Sequence, residues 1–145
     1  MIYTVFTNKA LRLAYDAHHG QTDKSGQPYI FHPYHVAEQM TDEISVCVAL
    51  LHDVIEDTSV TFEELEKEFP REVIEALRFL TRKSGTGYLD YLREIKQNPV
   101  ALKVKLADIA HNSDESRFEG CNELSAEDIA RNKEKYAKAR AVLEE

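Results

Sequence analysis

Ile44-Ser45-Val46-Cys47-Val48-Ala49-Leu50-Leu51-His52-Asp53-Val54-Ile55-Glu56-Asp57 is a run whose first half belongs in an apolar interior and whose second half does not. From Ile44 to Leu51 the apolar side chains cover the whole circumference of a helix, which predicts burial on all sides and not one wetted face. The periodicity predicts one helix over 42–57. Its last turn and a half then carries a histidine and three carboxylates. At about 100° per residue, His52, Glu56, Asp53 and Asp57 fall near 0°, 40°, 100° and 140°, on one patch. Carboxylates at a helix C-terminus oppose the macrodipole by about 0.3–1 kcal/mol each. Burying them without partners costs several kcal/mol more. A divalent cation is the most compact way to offset both costs.

Working outward, the segment Val100 to Asn112 supplies a matching group. Asp108 shares its helical face with Ala101 and Val104, so its carboxylate points inward, with Asn112 one turn further on the same side. His32 stands immediately before Pro33, at the entrance of another expected helix. Taken singly, an inward histidine is usually a hydrogen-bonded core residue, an acidic turn a solvated face, and a buried aspartate a cap or an arginine partner. The conjunction of His32, His52-Asp53 and Asp108 on three apolar helices favours a metal. Two imidazoles with two carboxylates suit Mn²⁺, Fe²⁺ or Zn²⁺, and the lack of thiolates argues against a structural zinc site.

The rest of the chain bounds this reading. Its 145 residues fit one domain, 1–145. Five glycines and four prolines are about half of ordinary usage, which suits long helices over a turn-rich β fold. The expected architecture is all-α, a compact helical bundle. Further helices are expected from Val5 to about His18–Gly20, from Pro33, from Thr61 (a capping box with Glu64) to Phe69–Pro70, from Arg71 to Leu80, from Tyr88 to Gln97 and from Pro99 to Asn112. A last helix, opened by Ser125 and Asp128 and rich in charge, reads as mostly solvated. Cys47 and Cys121 are too few for a disulfide framework. With neither a membrane-length apolar stretch nor a secretory signal in view, a cytoplasmic location with no membrane association is expected. A formal charge of −8 argues against a nucleic-acid polymer as partner. A small anion stays open, because a metal and a few Lys or Arg can reverse the potential locally.

His32, His52-Asp53 and Asp108 resemble the H…HD…D pattern of the HD superfamily of metal phosphohydrolases. His18 with Gly20-Gln21, the loop Lys24-Ser25-Gly26-Gln27-Pro28-Tyr29-Ile30-Phe31-His32-Pro33, Leu51-His52-Asp53-Val54-Ile55-Glu56-Asp57-Thr58 and Lys105-Leu106-Ala107-Asp108 with His111-Asn112 narrow the likeness to the hydrolase domain of RelA/SpoT-type alarmone enzymes. The likeness extends over roughly 5–112. It implies an HD-type helical bundle, a bound Mn²⁺ and removal of the 3′-pyrophosphate from (p)ppGpp, a small anionic nucleotide. It further implies that His32, His52, Asp53 and Asp108 hold the metal and that Glu56 and Asp57 position and deprotonate the attacking water. Lys24 and Ser25 would grip the nucleotide, with Asn112 beside ribose and phosphate. His19, His35 and His111 are left as surface or packing residues. The chain is too short for a synthetase domain as well, so a stand-alone hydrolase is expected.

Two positions depart from that pattern. Asp23 stands where the family usually has Arg, and Asp114 where an Arg usually follows the Asn. Charge-assisted hydrogen bonds are worth about 1.5–3 kcal/mol each. Losing two would weaken binding of a polyphosphate nucleotide by about 10²–10⁴-fold unless Arg117, Lys103 or Arg82 compensates. Two alternatives therefore stand beside the alarmone: another nucleotide phosphoester, such as a 2′-phosphorylated dinucleotide or a nucleotidase substrate, and a non-catalytic nucleotide-binding module.

Overall fold

The computed structural model describes residues 1–121 and 123–145. Among these the regular elements are helices, with one isolated antiparallel bridge between Thr22 and Pro28. Helix α1, Val5–Ala17, opens on a capping box in which Thr4 accepts from the Thr7 amide and Thr7 accepts in return. It stops at His18, and Gly20 turns the chain away with a φ of +86°, a conformation suited to glycine. Helix α2, Phe31–Glu38, starts two residues before the expected Pro33. Proline is tolerated there because first-turn amides lack intrahelical acceptors in any case.

Helix α3, Glu43–Leu51, is the central element. Asp42 caps it by accepting from the Ser45 amide, and every side chain from Ser45 to Leu51 is buried. Helices α1, α2, α6 (Arg71–Leu80) and α8 (Pro99–Asn112) all pack on it. Each fully buried leucine here contributes about 1.5–3 kcal/mol. The expected single helix over 42–57 is corrected: it breaks at His52-Asp53 and restarts as α4, Val54–Asp57. At the break the His52 ring Nδ1 sits 2.5 Å from the Ala49 carbonyl, the acceptor that the Asp53 amide would use in an unbroken helix. Asp53 itself leaves helical geometry, at φ −104° and ψ 0°.

Helix α5, Phe62–Glu66, begins on the expected Thr61/Glu64 capping box, and α7, Tyr88–Ile95, ends two residues short of Gln97. Asn98 caps α8, with Pro99 in its first turn. A short 3-10 turn, Glu115–Phe118, follows where no element was expected. The last helix, α9, Ala126–Glu144, opens on Ser125 and Asp128 as expected. It is mostly exposed, as its charge leads one to expect, and only Ala139, Val142 and Leu143 are buried where it packs on α7 and α8. Among the described residues, no helix is long and apolar enough to cross a membrane.

Candidate metal centre and substrate cavity

Three helices deliver the cluster. His32 comes from the first turn of α2, His52 and Asp53 from the break after α3, and Asp108 from the buried face of α8. One potential ligand atom from each lies within 4.8 Å of all the others. His32 Nε2 is 2.7 Å from Asp108 Oδ1, and His52 Nε2 is 3.0 Å from Asp53 Oδ2 and 3.5 Å from Asp108 Oδ1. His32, His52 and Asp108 are at most 5% exposed.

The His52 ring shows what such a cluster needs. Its Nδ1 faces a carbonyl, which can only accept, so the proton of a neutral ring sits there and Nε2 carries a bare lone pair. That lone pair is buried, faces two carboxylates, and forms no hydrogen bond. Without positive charge between them this arrangement is repulsive. Either a proton on Nε2 or a cation must relieve it, and a divalent ion with nitrogen and oxygen donors fits. Burial would depress the His52 imidazolium, but Asp53 and Asp108 hold it well above its ordinary value. Burial would raise the two carboxyls, but His52 beside Asp53 holds it down to about 2, while Lys105, His32 and His52 hold Asp108 well below the usual range.

Each member has an outer partner. Tyr29 donates its hydroxyl to Asp53 Oδ2. Lys105 Nζ reaches Asp108 Oδ2 at 2.8 Å, and Asn112 Nδ2 reaches Oδ1 at 3.0 Å. His32 Nδ1 meets His111 Nδ1 at 2.7 Å. Sequence reasoning assigned none of these roles to Tyr29, Lys105 or His111. Lys105 was discoverable as the inward neighbour of Asp108 one turn earlier on α8. His111, expected as a surface or packing residue, is half-buried and packs on His32 through this contact.

The expected acid pair lies beside the cluster on α4. Glu56 Oε1 accepts from the Arg82 backbone amide at 2.6 Å, tying α4 to the end of α6. The Asp57 carbonyl accepts from Gln21, whose amide oxygen in turn takes the His18 Nδ1 proton at 2.8 Å. Burial, followed by the neighbouring Asp53 charge, raises both carboxyls above their ordinary values.

Of the expected nucleotide contacts, Lys24 and Asn112 share a cavity of about 250 Å³ with His32, Tyr29, Arg117 and Tyr136. Ser25 does not join them: its hydroxyl donates to Asp23 Oδ1 at 2.7 Å and it borders a separate, larger groove between α1 and α2. The two acidic departures have structural duties. Asp23 Oδ1 accepts from the Ser25 and Gln27 amides, and its Oδ2 pairs with Arg117 Nη2 at 3.0 Å, largely out of solvent. Asp114 is exposed and spends its carboxylate on the amide and hydroxyl of Ser116, capping the 3-10 turn.

Several cations lie near one another despite the net charge of −8. Arg82 and Lys135 both lie over the Tyr88 ring, 5.7 and 5.1 Å from its centroid, and Lys24 reaches Asn132 on α9 at 3.4 Å. Burial lowers the Lys135 ammonium, and the charges of Lys24, Lys105 and Arg82 lower it further.

A family model described as HD domain matches residues 10–111. The chain is 36% identical over 130 residues to a putative GTP diphosphokinase, RSH1, of Arabidopsis thaliana chloroplasts, covering 74% of this chain and 15% of that protein. It is 38% identical over 123 residues to the bifunctional (p)ppGpp synthase/hydrolase SpoT of Escherichia coli, covering 72% and 18%. The chain thus spans less than a fifth of these relatives. A solved structure of a metazoan orthologue of SpoT, described as hydrolysing ppGpp, superposes with a TM-score of 0.79 at 26% identity, covering 99% of this chain and 88% of that one.

Proposed function

This chain belongs to the HD domain family, and from that premise we propose that it is a metal-dependent phosphohydrolase acting on (p)ppGpp as a 3′-pyrophosphohydrolase. The observation that carries the reading is the buried His52 nitrogen, without a hydrogen bond and turned toward the Asp53 and Asp108 carboxylates beside His32. The relatives described as acting on ppGpp supply the substrate.

In this scheme His32, His52, Asp53 and Asp108 hold the ion, and two imidazoles with two carboxylates make Mn²⁺ the proposed metal. Such an ion would supply neutralisation of phosphoryl charge and acidification of the attacking water. Glu56 and Asp57, raised above ordinary carboxyls, take the proton of the attacking water. The water oxygen bonds to the phosphorus attached to the ribose 3′ oxygen. The bond to that oxygen breaks, the 3′ oxygen takes up a proton, and pyrophosphate leaves. From ppGpp the other product is GDP, and from pppGpp it is GTP. Lys24 and Asn112 orient the nucleotide from the 250 Å³ cavity, and Arg82 and Lys135, both over the Tyr88 ring, add attraction for the polyphosphate. Ser25 acts through the loop it braces with Asp23. We place this activity in the cytoplasm, with its nucleotide substrate.

One observation favours a second substrate. Asp23 neutralises Arg117 at the cavity wall, which removes a free cation from reach of a highly charged nucleotide. A less charged phosphoester, such as a 2′-phosphorylated dinucleotide, suits that wall. Incubating the protein with a panel of nucleotides, with and without Mn²⁺, separates the two. Release of pyrophosphate from ppGpp that needs Mn²⁺ and disappears in Asp53→Ala is expected. Full activity of Asp53→Ala, or ppGpp left intact beside a rapidly cleaved alternative, overturns the assignment.

A further inference from the structure

The Nδ1 atoms of His32 and His111 stand 2.7 Å apart. Two imidazole nitrogens at that distance must share one proton, so one ring donates and the other accepts. If His32 presents Nε2 to a cation, the atom already 2.7 Å from Asp108 Oδ1, its proton belongs on Nδ1. His111 must then accept with a bare Nδ1 and carry its own proton on Nε2.

The surroundings hold His111 for that duty. Its ring is nearly parallel to that of His32, at 8°, and His35 stacks on it with centroids 4.0 Å apart. Arg117 Nη1 donates to the His111 carbonyl at 2.9 Å, fastening the end of α8. Histidine ligands in proteins commonly give their second N–H to a carbonyl or carboxylate, which fixes the tautomer. His52 follows that habit through Ala49. A carboxylate behind His32 would add a third negative charge to a pocket that already holds Asp53 and Asp108. A neutral imidazole accepts the same proton without doing so.

We infer that His111 is a positioning residue for the metal centre: it holds the proton on Nδ1 of His32 and keeps Nε2 of His32 as the ligand atom. The inference rests on the metal reading proposed above. Mn²⁺ affinity measured by titration calorimetry tests it on the wild type, on His111→Phe, which keeps a stacking ring without an acceptor, and on His111→Asn, which returns an acceptor oxygen near the lost Nδ1. His111→Phe is expected to bind Mn²⁺ about 10–100-fold more weakly, with His111→Asn recovering most of the loss. Nitrogen-15 spectra of the wild type loaded with diamagnetic Zn²⁺ should show His32 protonated at Nδ1, a readout that needs no variant to fold. Wild-type affinity in His111→Phe, failure of His111→Asn to recover a lost affinity, or a His32 proton found on Nε2 overturns the role of His111 alone. A wild type that binds no Mn²⁺ overturns the metal reading itself.

Discussion

His52 sets the terms at the scale of single residues. Asp53 and Asp108 hold the His52 imidazolium well above its ordinary range, which favours the protonated ring over the neutral one. A metal ligand must be deprotonated, so Mn²⁺ binding near pH 7 should expel about one proton. Calorimetry in buffers of different ionisation enthalpy counts it, and a count near zero would contradict the geometry. Asp53 and Asp108 contribute nothing to that count, because both are ionised far below pH 7. The acid pair governs a different profile. Glu56 and Asp57 must be ionised to accept a proton, and their carboxyls are raised by burial and by Asp53. The acidic limb of the activity profile should therefore lie above the ordinary 4.5 and 3.8 of these groups, with activity rising as pH climbs through it. A cation at Asp53 cancels that neighbour's share and leaves the burial share. Replacing Glu56 with Gln should lower the rate about 10²–10⁴-fold, read as kcat across pH.

At the scale of elements, capping decides where helices begin, and most of these signals were legible. Thr61 with Glu64, Ser125 with Asp128, and Pro99 behind Asn98 all open helices where their chemistry said they would. Asp42 is the cap of the central helix, so Asp42→Ala should cost about 0.5–2 kcal/mol in chemical denaturation. Burial would raise its carboxyl, but the Ser45 amide and hydroxyl and Lys103 hold it below 3.8. That contribution is complete above the unfolded value and fades as pH falls through the lower folded one, and the variant should lack this acid-sensitive part. The break at His52 was not legible. Apolar periodicity continues through Val54 and Ile55, and the competing bond to the Ala49 carbonyl is a side-chain choice that no hydrophobic pattern encodes. The break changes which way Asp53 faces, but the four-residue cluster was still readable, because inward-facing acids on separate apolar helices need one another wherever the turn falls. Tyr29 and His111 escaped notice because an outer partner shows itself only once its ligand has a place in space.

Across the whole molecule, α9 closes the bundle with Ala139, Val142 and Leu143 and brings Asn132 and Tyr136 to the wall of the cavity, a role its charge concealed. The centre draws on helices separated along most of the chain, so a bound ion ties α2, the α3–α4 break and α8 into one unit. Mn²⁺ at 100 times its dissociation constant should add about 2.7 kcal/mol to stability. For a chain of this size that is a rise in Tm of about 10 °C, removed by chelator. Scanning calorimetry with and without EDTA checks it. Asp23 and Arg117, 94 positions apart, clasp the loop before α2 to the segment after α8. Their bond makes the two positions chemically interdependent. An arginine installed at 23 alone would set a second guanidinium where Arg117 now meets its counter-ion, so a basic residue there calls for a neutral or acidic one at 117.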